Sequence, residues 1–162
     1  MIDRPYTCQY CQTSYTKEKT LAVHLCEQKR RHLQKDERRV QLGYMTFVRF
    51  YQISQKLDGT KTYEEFCKSP YYNAFVKFGS FVSNVKPMYP ENYIDYVIKS
   101  GVKLDHWCRE ELYEKYVLEL ILKESMEPAV ERSIKNMMDW ADNHSADWKD
   151  YFRYVSLPRA VY

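Results

Sequence analysis

Cysteine is the residue type with the most distinctive chemistry in this chain, and three of the five cysteines lie within the first 26 residues. Cys8 and Cys11 form a Cys-x-x-Cys pair, Cys26 follows, and Cys67 and Cys108 stand apart. An odd number of cysteines does not suit a framework of disulfides. A redox Cys-x-x-Cys pair opens a helix after a strand in a βαβ pattern, and no such pattern surrounds this pair. Metal ligation accounts better for the spacing.

The residues from Tyr6 to His24 extend this pair into the pattern Y-x-C-x2-C-x3-Y-x5-L-x2-H. This pattern resembles the Cys2His2 zinc-finger family over residues 6–32, about a sixth of the chain. The resemblance implies a small ββα-like unit in which Cys8, Cys11 and His24 bind one Zn²⁺ beside a small apolar core. A unit of about 25 residues buries too little surface to fold alone, so the ion must supply much of its folding free energy.

The fourth ligand departs from the family pattern. The family has a second histidine four to six residues after His24, but Gln28 stands at the commonest place and the next histidine is His32. Eight residues of unbroken helix advance the chain about 12 Å, too far for one ion, so the helix must loosen before His32. We favour His32, because longer histidine spacings occur in divergent fingers of the RNA-binding type. Cys26 can ligate instead only if the helix ends near His24, and water or an outside ligand is a third alternative.

A basic segment follows the finger. Residues 29–39 hold six Lys or Arg and two acidic residues, and residues 1–42 hold nine basic against five acidic residues. Fingers present a helix to a groove and use flanking basic residues on phosphates, so we predict contact with DNA or RNA. The alternative is a solvated face that pairs in part with acids of the body. The predicted contact residues are Lys17, Lys19, Thr20, Lys29, Arg30, Arg31, Lys35, Arg38 and Arg39.

Beyond the basic segment, apolar residues recur with helical spacing, which predicts a connecting helix over about 33–57. A capping box at Thr62 predicts a helix over 63–68, and Pro90 opens one predicted over 90–100. Caps and apolar faces predict further helices over 106–124 and from Ser69, Met126 and Ser145. We therefore predict a mainly α fold. A ββα-like zinc finger occupies residues 1–32, a basic-to-amphipathic connecting helix 33–57, and an irregular, aromatic-rich multi-helix domain 58–162.

Several classes of protein are disfavoured by composition. No apolar run reaches the roughly 18 residues of a membrane helix, and the N-terminus lacks an apolar signal stretch, so we expect an intracellular, cytoplasmic protein without a membrane partner. If the protein is viral, the host cytoplasm is the expected location. The four glycines form no phosphate-binding loop, and no Ser-His-Asp signature is present. We expect no enzyme activity; a metal-supported nuclease would need a carboxylate and histidine cluster that the sequence does not reveal.

These patterns predict a zinc-binding, nucleic-acid-binding accessory protein of replication, recombination or transcription. The alternative is a protein–protein adaptor with a purely structural finger and an aromatic helical docking surface. In its length and single finger the chain also resembles accessory proteins of tailed bacteriophages, although no motif carries this second resemblance.

Overall fold

A computed structural model describes residues 5–55 and 59–155, and the chain divides into two compact units, residues 1–108 and 109–162. Helices dominate the described ranges, whose strands form one two-stranded sheet near the N-terminus. The prediction of a mainly α fold is confirmed. The division falls inside the region that the sequence assigned to one helical domain, 58–162. Among the helices in these ranges, none is both long and apolar enough to cross a membrane.

The first unit begins with a hairpin and two short helices. Strands β1 (Tyr6–Thr7) and β2 (Ser14–Tyr15) pair antiparallel. Helix α1 (Glu18–Val23) follows, and three residues separate it from α2 (Glu27–Leu33). The helix predicted over about 33–57 begins only after a run of turns, as α3 (Arg38–Gln55).

Three more helices complete the body of the first unit: α4 (Tyr63–Lys68), α5 (Tyr72–Val85) and α6 (Pro90–Lys99). Helix α4 has the predicted capping box, since Thr62 Oγ1 accepts from the Glu65 N–H and the Glu65 carboxylate accepts from the Thr62 N–H. Helix α6 is followed by Gly101 at a φ of 70°, a conformation that glycine adopts without steric cost. Asp58, where the connecting helix was predicted to stop, lies outside the described residues.

Aromatic side chains form the core of the first unit. Phe66, Phe75, Phe78 and Trp107 are each at most 2% exposed. Trp107 packs 5.3 Å from Phe78 between ring centroids, and its Nε1–H donates to the Val102 carbonyl at 2.8 Å. The helix predicted over 106–124 begins only at Glu110, because a 3₁₀ turn at Leu104–His106 and an irregular link hold Trp107 in this core.

The second unit contains α7 (Glu110–Lys123), α8 (Met126–His144), a 3₁₀ turn (Trp148–Asp150) and α9 (Tyr151–Tyr154). Ser145, predicted to cap the last helix, instead ends α8 with a φ of 49°. Asp147 takes the capping role, because its carboxylate accepts from the Lys149 N–H at 3.0 Å.

Helices α3 and α5 cross at two glycines. A Cβ atom on Gly79 would lie 2.1 Å from the Arg39 carbonyl oxygen and 2.7 Å from the Gly43 nitrogen. A Cβ atom on Gly43 would lie 2.9 Å from the Phe75 carbonyl oxygen. The two helix backbones are therefore in direct contact, and any side chain at Gly79 would force them apart.

We expect Gly79→Ala to lower the free energy of unfolding by on the order of 3 kcal/mol, because the added methyl group collides with backbone rather than with a side chain that can move. Urea denaturation followed by circular dichroism would measure the change. Gly59→Ala is the control, since among the described residues no neighbouring atom lies within 4 Å of a Cβ atom at that position. If the two variants had the same free energy of unfolding, the close contact between the α3 and α5 backbones at Gly79 would be contradicted.

Candidate metal centre

Four potential ligand atoms converge in the segment from β1 to the end of α2, residues 6–33, which we call the N-terminal module. The sulfurs of Cys8, Cys11 and Cys26 and an imidazole nitrogen of His24 all lie within 4.8 Å of one another. Cys8 Sγ is 4.0 Å from Cys26 Sγ, and Cys11 Sγ is 3.3 Å from His24 Nε2. A tetrahedral ion with metal–sulfur bonds of about 2.3 Å holds its sulfurs about 3.8 Å apart, close to these separations. The four residues are therefore close enough together to bind one metal ion.

The hairpin turn positions the first two cysteines. Cys8 directly follows β1 and is 3% exposed. Its N–H donates to the Thr13 carbonyl at 2.9 Å, and its carbonyl accepts from the Gln12 N–H at 2.9 Å. Gln12 adopts a φ of 61°, which lets the chain reverse within these few residues. The turn thereby brings Cys11 back beside Cys8.

His24 lies where α1 ends, with an extended backbone at a ψ of 121°. Its Nε2 atom faces Cys11, and its Nδ1 atom lies 2.8 Å from the Tyr15 hydroxyl oxygen. If Nε2 ligates, Nδ1–H donates to the Tyr15 oxygen, which fixes the tautomer and the ring orientation. Tyr15 is the second tyrosine of the sequence pattern, and its positioning role depends on a hydrogen bond that spacing does not reveal.

Cys26 enters the group because the chain bends between the two short helices. As the N-cap of α2, its sulfur accepts from the Lys29 N–H at 3.3 Å. The Lys29 side chain also donates to the His24 carbonyl at 3.2 Å, across the bend. The condition that the sequence set for Cys26, a helix that ends near His24, is therefore met.

His32, which the sequence favoured as the fourth ligand, is not part of the group. Its ring packs against Tyr10 and Tyr63, at centroid distances of 5.0 and 5.6 Å. The helix is interrupted before His32, as ligation by His32 required, but the interruption falls between Val23 and Glu27 and brings Cys26 rather than His32 to the group. The structure therefore replaces His32 with Cys26 in the candidate ligand set.

Two of the three clustered cysteines have a shifted pKa. Hydrogen bonds from the Thr13 side chain and then its backbone lower the pKa of Cys11 to about 6. Burial raises the pKa of Cys26 above its ordinary value. Because cysteine ligates as the thiolate, Cys11 is ready to bind a cation at neutral pH, whereas Cys26 gives up its proton when the ion binds.

Most of the residues predicted to contact nucleic acid are exposed: Lys17, Lys19, Thr20, Arg30, Lys35, Arg38 and Arg39. Two of these pair with acidic neighbours, since Arg30 lies 3.9 Å from Glu27 and Arg39 lies 2.7 Å from Glu37. Lys29 is half-buried at the bend of the metal module. The basic segment is therefore only partly available to a ligand.

Arg31 differs from its basic neighbours because its side chain is only 12% exposed. One guanidinium nitrogen donates to the Cys67 carbonyl at 2.5 Å, and the guanidinium carbon lies 4.3 Å from the Tyr72 ring centroid. The prediction that Arg31 contacts phosphate does not fit this position, because the guanidinium is already used to join α2 to the helical body.

Comparison of the chain with protein-family models, curated proteins and solved structures gives no significant match. The resemblance to the zinc-finger family therefore rests on the residues of the N-terminal module.

We expect Thr13→Val to raise the pH at which the centre releases its metal. Thr13 lowers the pKa of Cys11 to about 6, so this thiol stays deprotonated down to that pH. Loss of the Thr13 hydroxyl raises the pKa, so protons displace the metal from Cys11 at a higher pH. The metal-bound fraction would be measured from about pH 4 to pH 8. Thr20→Val, on the exposed face of α1, is the control. If the pH at which half of the metal is released moved equally in both variants, this role of Thr13 would be contradicted.

Proposed function

We propose that Cys8, Cys11, His24 and Cys26 bind one structural Zn²⁺. The convergence of these four side chains carries the proposal. Three sulfurs and one imidazole are ligand types that zinc prefers, and four protein ligands complete its usual tetrahedron. A catalytic zinc keeps a position open for water or substrate, so a complete set of protein ligands favours a structural ion.

The small core of the module supports a structural ion. Neither α1 nor α2 contains a buried residue, and Cys8 is the buried residue among the described part of the first 39. Burial of apolar surface therefore contributes little to the stability of this segment, and the free energy of metal binding can supply what the core does not.

We propose that the protein uses this module and the adjoining basic residues to bind nucleic acid, as an accessory protein in replication, recombination or transcription. Charge is the supporting observation. The first unit contains 17 basic and 11 acidic residues, whereas the second contains 8 and 11. Within the described ranges, no salt bridge involves Lys17, Lys19 or Arg38, so these cations remain available for phosphates.

The exposed face of α1 suggests that recognition depends little on sequence. Lys17, Thr20 and Val23 are exposed at a spacing of three residues, as expected for side chains that approach bases. Threonine and valine discriminate weakly among base edges, so Lys17 is the residue suited to a strong base contact. The expected ligand is DNA or RNA held mainly through its backbone, and catalysis is not part of the proposal.

A protein adaptor is the second candidate function. Three large apolar side chains near the candidate metal centre are strongly exposed, with Val23 at 82%, Leu25 at 60% and Leu33 at 68%. Apolar groups held in water beside a rigid metal module favour contact with a protein partner. In this case, the ion would only stabilise the surface that carries these side chains.

We expect Cys26→Ser to reduce zinc binding strongly, while His32→Phe retains about one ion per molecule. Serine keeps an oxygen that can cap α2 but is a poorer ligand than a thiolate. Phenylalanine keeps an aromatic ring against Tyr10 and Tyr63 but removes the imidazole nitrogens. Elemental analysis of dialysed protein and competition with a chelator would give the stoichiometry and affinity. Full zinc affinity in Cys26→Ser together with loss in His32→Phe would restore His32 as the fourth ligand.

We expect the affinity for duplex DNA to fall with salt at a slope of about −3.6 in log–log form, as for about four phosphate contacts. Replacing Lys19, Lys35 and Arg38 with alanine should reduce the slope to about −0.9, because one phosphate contact remains. Fluorescence anisotropy across a salt series would measure both slopes, and the same series with RNA would compare the two nucleic acids.

The control for the charge variants is a triple replacement of Lys115, Lys123 and Lys135 with alanine, which removes the same charge from exposed sites of the second unit. This variant should bind as the unaltered protein does. Equal loss of affinity in both triple variants would indicate a response to net charge alone. A flat salt response in the unaltered protein would contradict the nucleic-acid proposal and favour the adaptor.

A further inference from the structure

The second unit contains a cavity of about 680 Å³ between the C-terminal half of α8 and the segment that follows it. This volume lies within the range of small-molecule sites in proteins. Its walls combine aromatic rings with acid and amide groups, and the described lining residues lie between 136 and 155. None of these described residues belongs to the candidate metal centre.

Trp140 is the central ring of this cavity. The His144 ring stacks on it at a centroid distance of 5.1 Å and an interplanar angle of 24°. Because a carbonyl only accepts, His144 Nδ1–H donates to the Trp140 carbonyl, at 2.8 Å, which fixes the imidazole against the indole. The Tyr151 ring stands at 88° to the indole, with the centroids 5.7 Å apart. The indole is therefore held from two sides.

Tyr154 provides a second, nearly parallel wall. Its ring is inclined by only 18° to that of Trp140, and the centroids are 6.3 Å apart. Tyr154 is 70% exposed, so little packing opposes a small rotation of its ring. The Trp140 and Tyr154 rings can therefore offer their faces to a flat group, while Tyr151 closes the cavity at a steep angle to the indole.

The polar lining indicates a cation with N–H donors. Asn136 and Asp139 are one helical turn apart on α8, and both line the cavity. Within the described part of the chain, no salt bridge neutralises Asp139. The second unit as a whole has eleven acidic and eight basic residues, which adds to the attraction of a positive charge.

We propose that this cavity binds a guanidinium group, as carried by arginine. Guanidinium is flat and stacks on aromatic faces, and its N–H groups can donate to the Asp139 carboxylate and to the Asn136 side-chain oxygen. A quaternary ammonium group has no N–H donor, so it cannot form a hydrogen bond with either polar side chain. A primary ammonium group has donors but is strongly hydrated and offers no flat face.

Three capped amino acids test the proposal on the full-length protein. Acetyl-arginine methylamide presents guanidinium, acetyl-citrulline methylamide presents a flat neutral urea of nearly the same shape, and acetyl-lysine methylamide presents ammonium. Two-dimensional NMR of the indole N–H signals would report binding, with the signal of Trp140 identified from Trp140→Phe. We expect the arginine compound to shift the Trp140 signal and to bind about tenfold or more tighter than the citrulline and lysine compounds.

Two further ligands distinguish the source of the guanidinium. Agmatine, a small free guanidine, and a short glycine–serine peptide with one arginine would be titrated in the same way. Binding of either supports the proposal, and the tighter of the two identifies whether the site takes a small molecule or a side chain of a polypeptide.

Matched variants separate the site from its surroundings. Asp139→Asn and Tyr154→Ala should each weaken arginine binding about fivefold or more. Asp142→Asn removes an exposed charge from the same helix, and Phe152→Ala removes an exposed ring from the same short helix as Tyr154. Neither residue lines the cavity, so both controls should bind normally.

Four results would overturn the proposal. If the citrulline compound bound as tightly as the arginine compound, the cavity would not recognise the positive charge. If the lysine compound bound as tightly, the cavity would not recognise the flat guanidinium group with its several N–H donors. Equal loss in Asp139→Asn and Asp142→Asn would assign the effect to net charge. An unmoved Trp140 signal with arginine at tens of millimolar would show that the cavity takes no guanidinium group.

Discussion

Arg31 links the candidate metal centre to the aromatic core, and the organisation of the first unit depends on this link. Its guanidinium donates to the Cys67 carbonyl and stacks on Tyr72, while the Tyr63 hydroxyl donates to the Arg31 carbonyl at 2.7 Å. The helix that carries Arg31 is α2, and it begins directly after Cys26. The proposed metal ligation at Cys26 and the packing of Arg31 on the core would therefore restrain the two ends of the same seven-residue helix.

A helix of seven residues is not stable alone in water, because its few hydrogen bonds do not offset the cost of nucleation. Helix α2 buries no residue, so it depends on the proposed ion at its start and on the contacts of Arg31 and His32 with aromatic rings near its end. Each contact orders the helix and reduces the entropy that the other must overcome. Metal binding and docking of α2 on the body should for this reason be cooperative, and removal of Arg31 should weaken the metal centre without touching a ligand.

The local signals of the sequence were sufficient where the structure depends on local interactions. The capping box at Thr62 and the proline at the start of α6 placed their helices correctly, and the Cys-x-x-Cys pair with His24 identified three of the four clustered ligands. The bend before Cys26 was not predictable, because no glycine or proline marks it and the contacts that stabilise it come from Lys29 and from the clustered ligands. The late start of α7 likewise depends on Trp107, whose burial is a property of the assembled core.

The same distinction explains why the basic segment could not be interpreted as one surface. In sequence its arginines look equivalent, yet Arg31 stacks on Tyr72, Arg39 pairs with Glu37, and Arg38 has no salt bridge within the described residues. The charge that remains available is positive in the first unit, whereas the second unit has a negative balance. These balances suit the proposed polyanion on the first unit and the proposed cationic ligand on the second, so the two proposed activities would use opposite charges. Substitutions in the first unit should therefore abolish the proposed nucleic-acid binding and leave guanidinium binding intact, and substitutions in the second unit should do the reverse.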